Sequence, residues 1–442
     1  MGHRSDHSPG RIAFINARLL DPASGLDAKG ALLVEGEAIA DFGPALFKSG
    51  VPSGIETVDC RGHCLAPGLV DMRVQLREPG EEHKGTLASA GQAATAGGVT
   101  TMVCLPNTSP VIDDMSVVEF VARRARKLGL TKVYCYGAVT KGLAGQELAE
   151  MGMLAESGAV AFTDGTQAVG DAQVMRRALT YAATFGLLIV QHPEEPSLAR
   201  GGAMNAGETA TRLGLPGIPR EAEVIMVERD IRLVEMTGGR LHFAHVSTAG
   251  AVEAVAAAKA RGLKVTCDTA PPYFALNEGA VGDYRTFAKL SPPLRSEADR
   301  KAIVEGLKAG IIDAIASDHA PEDEDAKRLP FAQAAFGGVG LETLLGVSLG
   351  LYHHGGMTLL DVLRPLTCAP ADILGLPAGR LTKGAAADLV LFDPERGWRV
   401  DSDDLLSKSK NTPFDGYLVQ GRALRTVIDG RTVFDAAHGP ED

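Results

Sequence analysis

A chain of 442 residues, 45% hydrophobic but only 5% aromatic, is long enough to bury one large core or two moderate ones. Its formal charge of −11, carried without any basic block, excludes nucleic acid as a natural partner. No segment reaches the ~18 consecutive apolar residues of a membrane helix, and the polar start "MGHRSDHSPG" lacks the apolar region of an export signal, so no membrane and a cytoplasmic location are expected.

Residues 1–10 read as a polar N-terminal tail. From 11 to 66 apolar and polar residues alternate ("IAFINARLL", "ALLVEGEAIADFG"), as they do in half-buried strands. The middle, 67–376, repeats one unit: a short apolar strand, a polar residue at its end, then an Ala/Leu/Glu-rich helix. Strands are predicted at 69–75, 99–105, 133–139, 159–163, 187–191, 241–246, 263–268 and 312–317, with helices such as 86–96, 116–128, 171–185, 221–237, 249–261 and 296–309 between them. Near-continuous apolar strands belong to a parallel sheet covered on both faces. Eight such units predict an α/β fold, a (β/α)8 TIM-like barrel with its chemistry at the C-terminal strand ends. A doubly wound sheet fits less well, because no glycine-rich phosphate fingerprint follows the first strand. Residues 377–436 return to alternation, with Asp429-Gly430 as a hairpin turn. The two β-rich ends predict a small composite β-sandwich domain, 11–66 with 377–436. The six cysteines are scattered and read as buried free thiols.

Ionisable residues end several of these strands. Asp164 follows the fourth, His192 the fifth, His245 the sixth and Asp318 the eighth. Two imidazoles with carboxylates make a suitable donor set for zinc, and a bound dication brings water towards hydroxide at neutral pH. Asp318 is placed to take a proton from such a water and pass it to a leaving nitrogen. A lone strand-end histidine is more often structural, but four such residues at one end of a barrel favour a site. His242, three positions before His245, points away from it, and His319 orients its neighbours. The first strand runs through "DMRVQLREPG". Metal-dependent hydrolases often carry two alternating histidines at such a strand end; here the positions hold Arg73 and Gln75.

The stretch "PGLVDMRVQLREPGEEHKGTLASAGQAATAGGVTTMVCLPNTSPVIDD" closely resembles the dihydroorotase branch (class I type) of the amidohydrolase superfamily. So do "GAVAFTDG", "HFAHVSTAGAVEAV", "PPLRSEADR", "AIASDHAP" and "GRLTKGAAADLVLFDP", and the resemblance spans roughly Arg11 to Phe434. It implies a barrel with a composite β domain and a role in pyrimidine biosynthesis, closing N-carbamoyl-aspartate to dihydroorotate or the reverse. It also implies that Asp164 bridges two metals, that His192 and His245 complete the second (β) site, and that Asp318 is catalytic base and ligand of the first. Arg77 and Asn107 would grip the substrate carboxylate, Arg77 through its planar fork.

The departures are equally specific. Arg73 and Gln75 replace the His-x-His pair, Gly165 a second acidic residue, Ser291 an asparagine, and Glu322 a histidine after "DHAP". A guanidinium does not ligate a dication, and a carboxylate at 322 repels that of the substrate. Two readings follow. In one, the chain is a dihydroorotase-type cyclic amide hydrolase with at most one zinc ion at the β site, held by Asp164, His192, His245 and Asp318, and Arg73 polarises the amide. In the other it is a non-catalytic partner of aspartate transcarbamoylase, in which Arg73 pairs with Asp164. A different cyclic amide substrate is a further alternative, and a homo-oligomer is expected. The charged segment 320–330 suits a mobile loop over the site.

Overall fold

The computed structural model describes residues 10–437, so residues 1–9 of the expected tail lie outside the described residues. Eight parallel strands form one sheet in sequence order: Leu69–Val74, Val99–Cys104, Lys132–Gly137, Ala159–Phe162, Leu188–Gln191, Arg240–Phe243, Val265–Thr269 and Ala314–Ile315. Each coincides with a predicted strand, and the six predicted helices are also present. The ring closes where Val74 bridges His319 and the Gln75 N–H donates to the His319 carbonyl at 2.8 Å. Asp71 adds a side-chain tie across the same seam, accepting from the N–H groups of Ser317 and Arg73, both at 3.1 Å.

Val70, Met72, Val103, Leu105, Tyr136 and Ala161 fill the barrel interior, joined by Ala371 and Leu374. Outside the ring, the larger core packs strands against helices through Val99, Met102, Phe162, Met175, Ile189 and Phe243. The helix Leu344–His353 is apolar nearly all round and buried, so it carries no amphipathic signature in the sequence.

Strands from both ends of the chain share a second sheet, in the order Arg431–Asp435, Leu418–Ile428, Leu389–Arg399, Cys64–Pro67, Arg11–Asp21, Leu26–Glu35, Ala38–Gly43. The first two are joined at Asp429 and Gly430, both with positive φ (47° and 72°), the geometry for which an Asp-Gly pair is selected. Phe14, Leu32, Ile39, Leu65, Leu389 and Val427 form this sheet's core. Lys132, at the start of the third barrel strand, ties the barrel to this sheet by ion pairs to Asp388 and Asp429, each 2.7 Å. All six cysteines are buried free thiols.

Lys132→Met leaves the buried Asp388 carboxylate without its cation and is expected to cost about 1–3 kcal/mol in denaturant unfolding. Asp71 yields a pH test. Burial pushes its carboxyl up to about 7, against the hydrogen bonds from Ser317 and Arg73. Between the unfolded value of 3.8 and about 7 the folded chain therefore holds a proton that the unfolded chain has lost. Stability from this group falls as pH rises through that window and is level above it. Asp71→Asn is expected to remove about 2 kcal/mol of the difference in unfolding free energy between pH 5 and pH 8; an unchanged slope would refute the assignment.

Candidate active site

The first barrel strand carries one residue more than its neighbour between Asp71 and Val74, which face Met102 and Cys104. This bulge re-aims the backbone at Arg73, as bulges beside active sites commonly do. Arg73 is buried, and its Nε donates to Asp318 Oδ1 at 3.0 Å while Nη2 donates to the Gly165 carbonyl at 3.2 Å. Gly165 has φ +73°, so the left-handed turn that presents its carbonyl suits glycine rather than a second acidic residue. Arg73 Nη1 has no partner within the fold.

Asp318 follows the last strand with φ +51°, and His245 follows the sixth with φ +38°. Both are non-glycine residues in a sparsely populated region, where strain collects at functional positions. Burial pushes the Asp318 carboxyl up, but its neighbours His245 and Arg73 outweigh this and leave it below the usual carboxylate range. Burial and the Arg73 charge drive His245 down to about 4, so its imidazole is neutral at pH 7 and Arg73 is then the cation beside Asp318. His245 Nδ1 faces Asp318 Oδ1 at 3.4 Å, and on the other side of the ring Nε2 lies 2.8 Å from His192 Nδ1. His192 Nε2 turns to Ser291 Oγ at 3.5 Å and Glu194 Oε2 at 3.7 Å. These contacts form a row running from Arg73 through Asp318, His245 and His192 to Ser291.

Asp164 stands at the end of the fourth strand but does not pair with Arg73. Its carboxylate accepts from the N–H groups of Val139 and Thr140 and from the Thr140 hydroxyl. Burial raises its carboxyl, and these bonds only partly offset the rise. The expected Arg73–Asp164 pair is therefore corrected: the bulge delivers the arginine to Asp318, and Asp164 is satisfied by the third strand's end.

The arrangement does not fit a bound metal. His245 presents its two nitrogens to opposite sides, towards His192 and Asp318, so those three groups do not converge on one point. Zinc with tetrahedral bonds of about 2.0–2.1 Å would hold two nitrogens about 3.3 Å apart, whereas the two rings sit at hydrogen-bonding distance. Among the described residues, no three His, Cys, Asp or Glu side chains are placed to share an ion.

At the other side of the mouth, Gln75 Oε1 accepts from Asn107 Nδ2 at 3.0 Å. Arg77, with φ +63°, is buried rather than a surface cap: Nε donates to the Pro321 carbonyl at 3.0 Å, Nη1 to Glu81 Oε2 at 2.8 Å, and Nη2 to Glu322 Oε1. The segment after Asp318 packs down: Glu322 and Lys327 are buried, and Lys327 Nζ donates to the carbonyls of Thr286, Lys289 and Ala335. Within the expected charged 320–330 loop, Glu324, Asp325 and Arg328 are exposed, while Glu322 and Lys327 are buried against the body. Beside Asp318 lies a cavity of only about 10 Å³, room for about one water.

Sequence reasoning passed over Asp268, although it lies in the predicted strand 263–268. Its Oδ1 accepts from the His245 N–H at 2.7 Å and its Oδ2 meets His242 Nε2 at 2.8 Å, which fixes the strained His245 backbone and gives the buried His242 a structural role.

A family model described as Dihydro-orotase-like matches residues 62–251. The chain is 49% identical over 431 residues to the dihydroorotase of Anaplasma phagocytophilum, across 96% of this chain and 95% of that one. To the dihydroorotase of Pelobacter propionicus it is 48% identical over 419 residues, across 95% and 98%. The solved L-hydantoinase (dihydropyrimidinase) from Arthrobacter aurescens superposes with a TM-score of 0.85 at 25% identity, covering 96% of both chains. The D-hydantoinase (dihydropyrimidinase) from Thermus sp. shares the fold at a TM-score of 0.82 and 22% identity, covering 98% of this chain and 97% of that one. With this likeness running along nearly its whole length, the chain belongs to the dihydroorotase family.

Proposed function

We propose that the chain is a cyclic amide hydrolase of the dihydroorotase type, interconverting dihydroorotate and N-carbamoyl-aspartate in cytoplasmic pyrimidine biosynthesis. The observation that carries this reading is Asp318, an ionised carboxylate on a strained strand end, set between Arg73 and the neutral His245. In the hydrolytic direction Asp318 accepts a proton from the attacking water as its oxygen bonds to the amide carbon. It then delivers that proton to the ring nitrogen as the carbon–nitrogen bond breaks. Arg73 Nη1, without a partner in the fold, is the donor available to the amide oxygen as negative charge develops there. Asp268 holds the His245 backbone and His192 its ring beside Asp318, and Arg77 with Asn107 receives the substrate carboxylate.

The family is generally metal-dependent, and the finer expectation places one zinc ion on Asp164, His192, His245 and Asp318. Because those donors do not converge, no step is assigned to an ion.

Dihydroorotate turnover by the purified chain tests the reading. Asp318→Asn is expected to lower it by about 10²-fold or more, and Arg73→Met by a similar factor. Turnover is expected to survive exhaustive chelation. Activity that disappears with the chelator and returns with zinc would overturn the metal-free step, and a parent chain no faster than Asp318→Asn would sink the enzymatic reading.

One observation favours a second reading. Arg73, Gln75 and Arg77 are each bonded to another side chain of the same chain, as residues of a retired site would be. A non-catalytic, homo-oligomeric partner of aspartate transcarbamoylase would show no turnover and would co-elute with that enzyme in size-exclusion chromatography.

A further inference from the structure

Arg77 is the one arginine assigned to the substrate carboxylate, and the fold already supplies it with one. Its Nη2 is bonded to Glu322 Oε1, both side chains being only 8% exposed, and the other Glu322 oxygen lies 3.1 Å from Lys84 Nζ. The remaining nitrogens of Arg77 are engaged by Glu81 and the Pro321 carbonyl. Each of the three guanidinium nitrogens thus has an acceptor, two of them carboxylates, so an incoming anion meets an arginine whose charge is already neutralised.

Glu322 is also held firmly where it is. Its backbone N–H donates to Asn411 Oδ1 at 3.2 Å, and Asn411 Nδ2 donates to the carbonyls of Ala320 (3.2 Å) and Gly337 (3.1 Å) on either side of the segment. Asp323 caps the short helix Glu324–Arg328, and Lys327 pins that helix to three carbonyls. Opposite, Gly85 lets the Pro321 ring approach: a Cβ there would lie 3.1 Å from Pro321 Cγ. The carboxylate on Arg77 is therefore built in from both sides.

We propose that Glu322 is an internal competitor for the carboxylate seat on Arg77 and thereby sets the selectivity of the site against carboxylate-bearing ligands. This rests on the assignment of Arg77 to the substrate carboxylate. A ligand carboxylate takes the Nη2 position on Arg77 only by displacing Glu322, and the displaced anion keeps Lys84 as its partner while the cluster gains one negative charge. Repulsion between two carboxylates at one arginine makes simultaneous occupancy costly. The ion pair therefore raises the KM for a carboxylate-bearing ring without entering the bond-breaking step.

The test measures N-carbamoyl-L-aspartate binding by calorimetry for the full-length parent, Glu322→Gln, Glu322→Asp and the double variant Glu322→Gln/Arg77→Met, with thermal melts as a fold control. Glu322→Gln keeps shape and removes the charge, and is expected to tighten binding at least tenfold. Glu322→Asp withdraws the carboxylate by one methylene and should fall between it and the parent. The double variant should lose the gain. In turnover, KM for dihydroorotate should fall with little change in kcat, a split that a merely structural residue would not give. Equal or weaker binding by Glu322→Gln, with a parent-like melt, overturns the proposal. If Glu322→Gln melts early, Glu322→Asp decides, and parent-like affinity there overturns it as well. Binding is read without turnover, so a chain that binds more tightly yet hydrolyses nothing would refute the enzymatic reading and leave this one standing.

Discussion

The ion pair between Arg73 and Asp318 is the interaction on which the mouth of the barrel depends. It joins the first strand to the last and so reinforces the seam that the backbone closes a few residues below. It helps keep a carboxylate ionised where burial alone would neutralise it, and its permanent cation adds to the burial that keeps His245 neutral. A neutral His245 can in turn share a hydrogen bond with His192 instead of repelling it. A desolvated carboxylate beside two imidazoles is tolerable only because a delocalised, always-charged group sits against it.

The other substitutions at the mouth follow the same logic of local compensation. Gln75 finds Asn107, and Glu322 finds Arg77 and Lys84. No charge in this set faces a like charge alone, although the segments involved are far apart in sequence. The charges at the mouth thus find their partners among this chain's own side chains.

Much of the scaffold was legible because barrel strands buried on both faces read as short, nearly continuous apolar runs such as "VTTMVC" and "LIVQ". The strand-end rule found Asp164, His192, His245 and Asp318, since it needs only register along each strand. It did not find their partners. Which group meets Arg73 depends on a one-residue bulge between Asp71 and Val74, and alternation in the sequence does not reveal where a strand breaks step. Asp164 is satisfied from Val139 and Thr140 at the end of a different strand, a relation set by the twist of the sheet. Glu322 looked like repulsion from the sequence and becomes attraction once Arg77 is seen to turn towards it. Its loop, rich in Asp and Glu, reads as exposed, yet the lysine that anchors it is buried among carbonyls.

The sheet shared by the two chain ends has a consequence for synthesis. Cys64–Pro67 pairs with Arg11–Asp21 on one side and with Leu389–Arg399 on the other. While a ribosome is still making the barrel, one flank of the N-terminal strands has no neighbour, and it gains one only after more than 300 further residues have emerged. Unpaired strand edges are the surfaces through which nascent chains join one another, and pairings this distant in sequence form late. The sheet that carries none of the candidate site residues is thus the part of the molecule with most need of shielding while the chain is made.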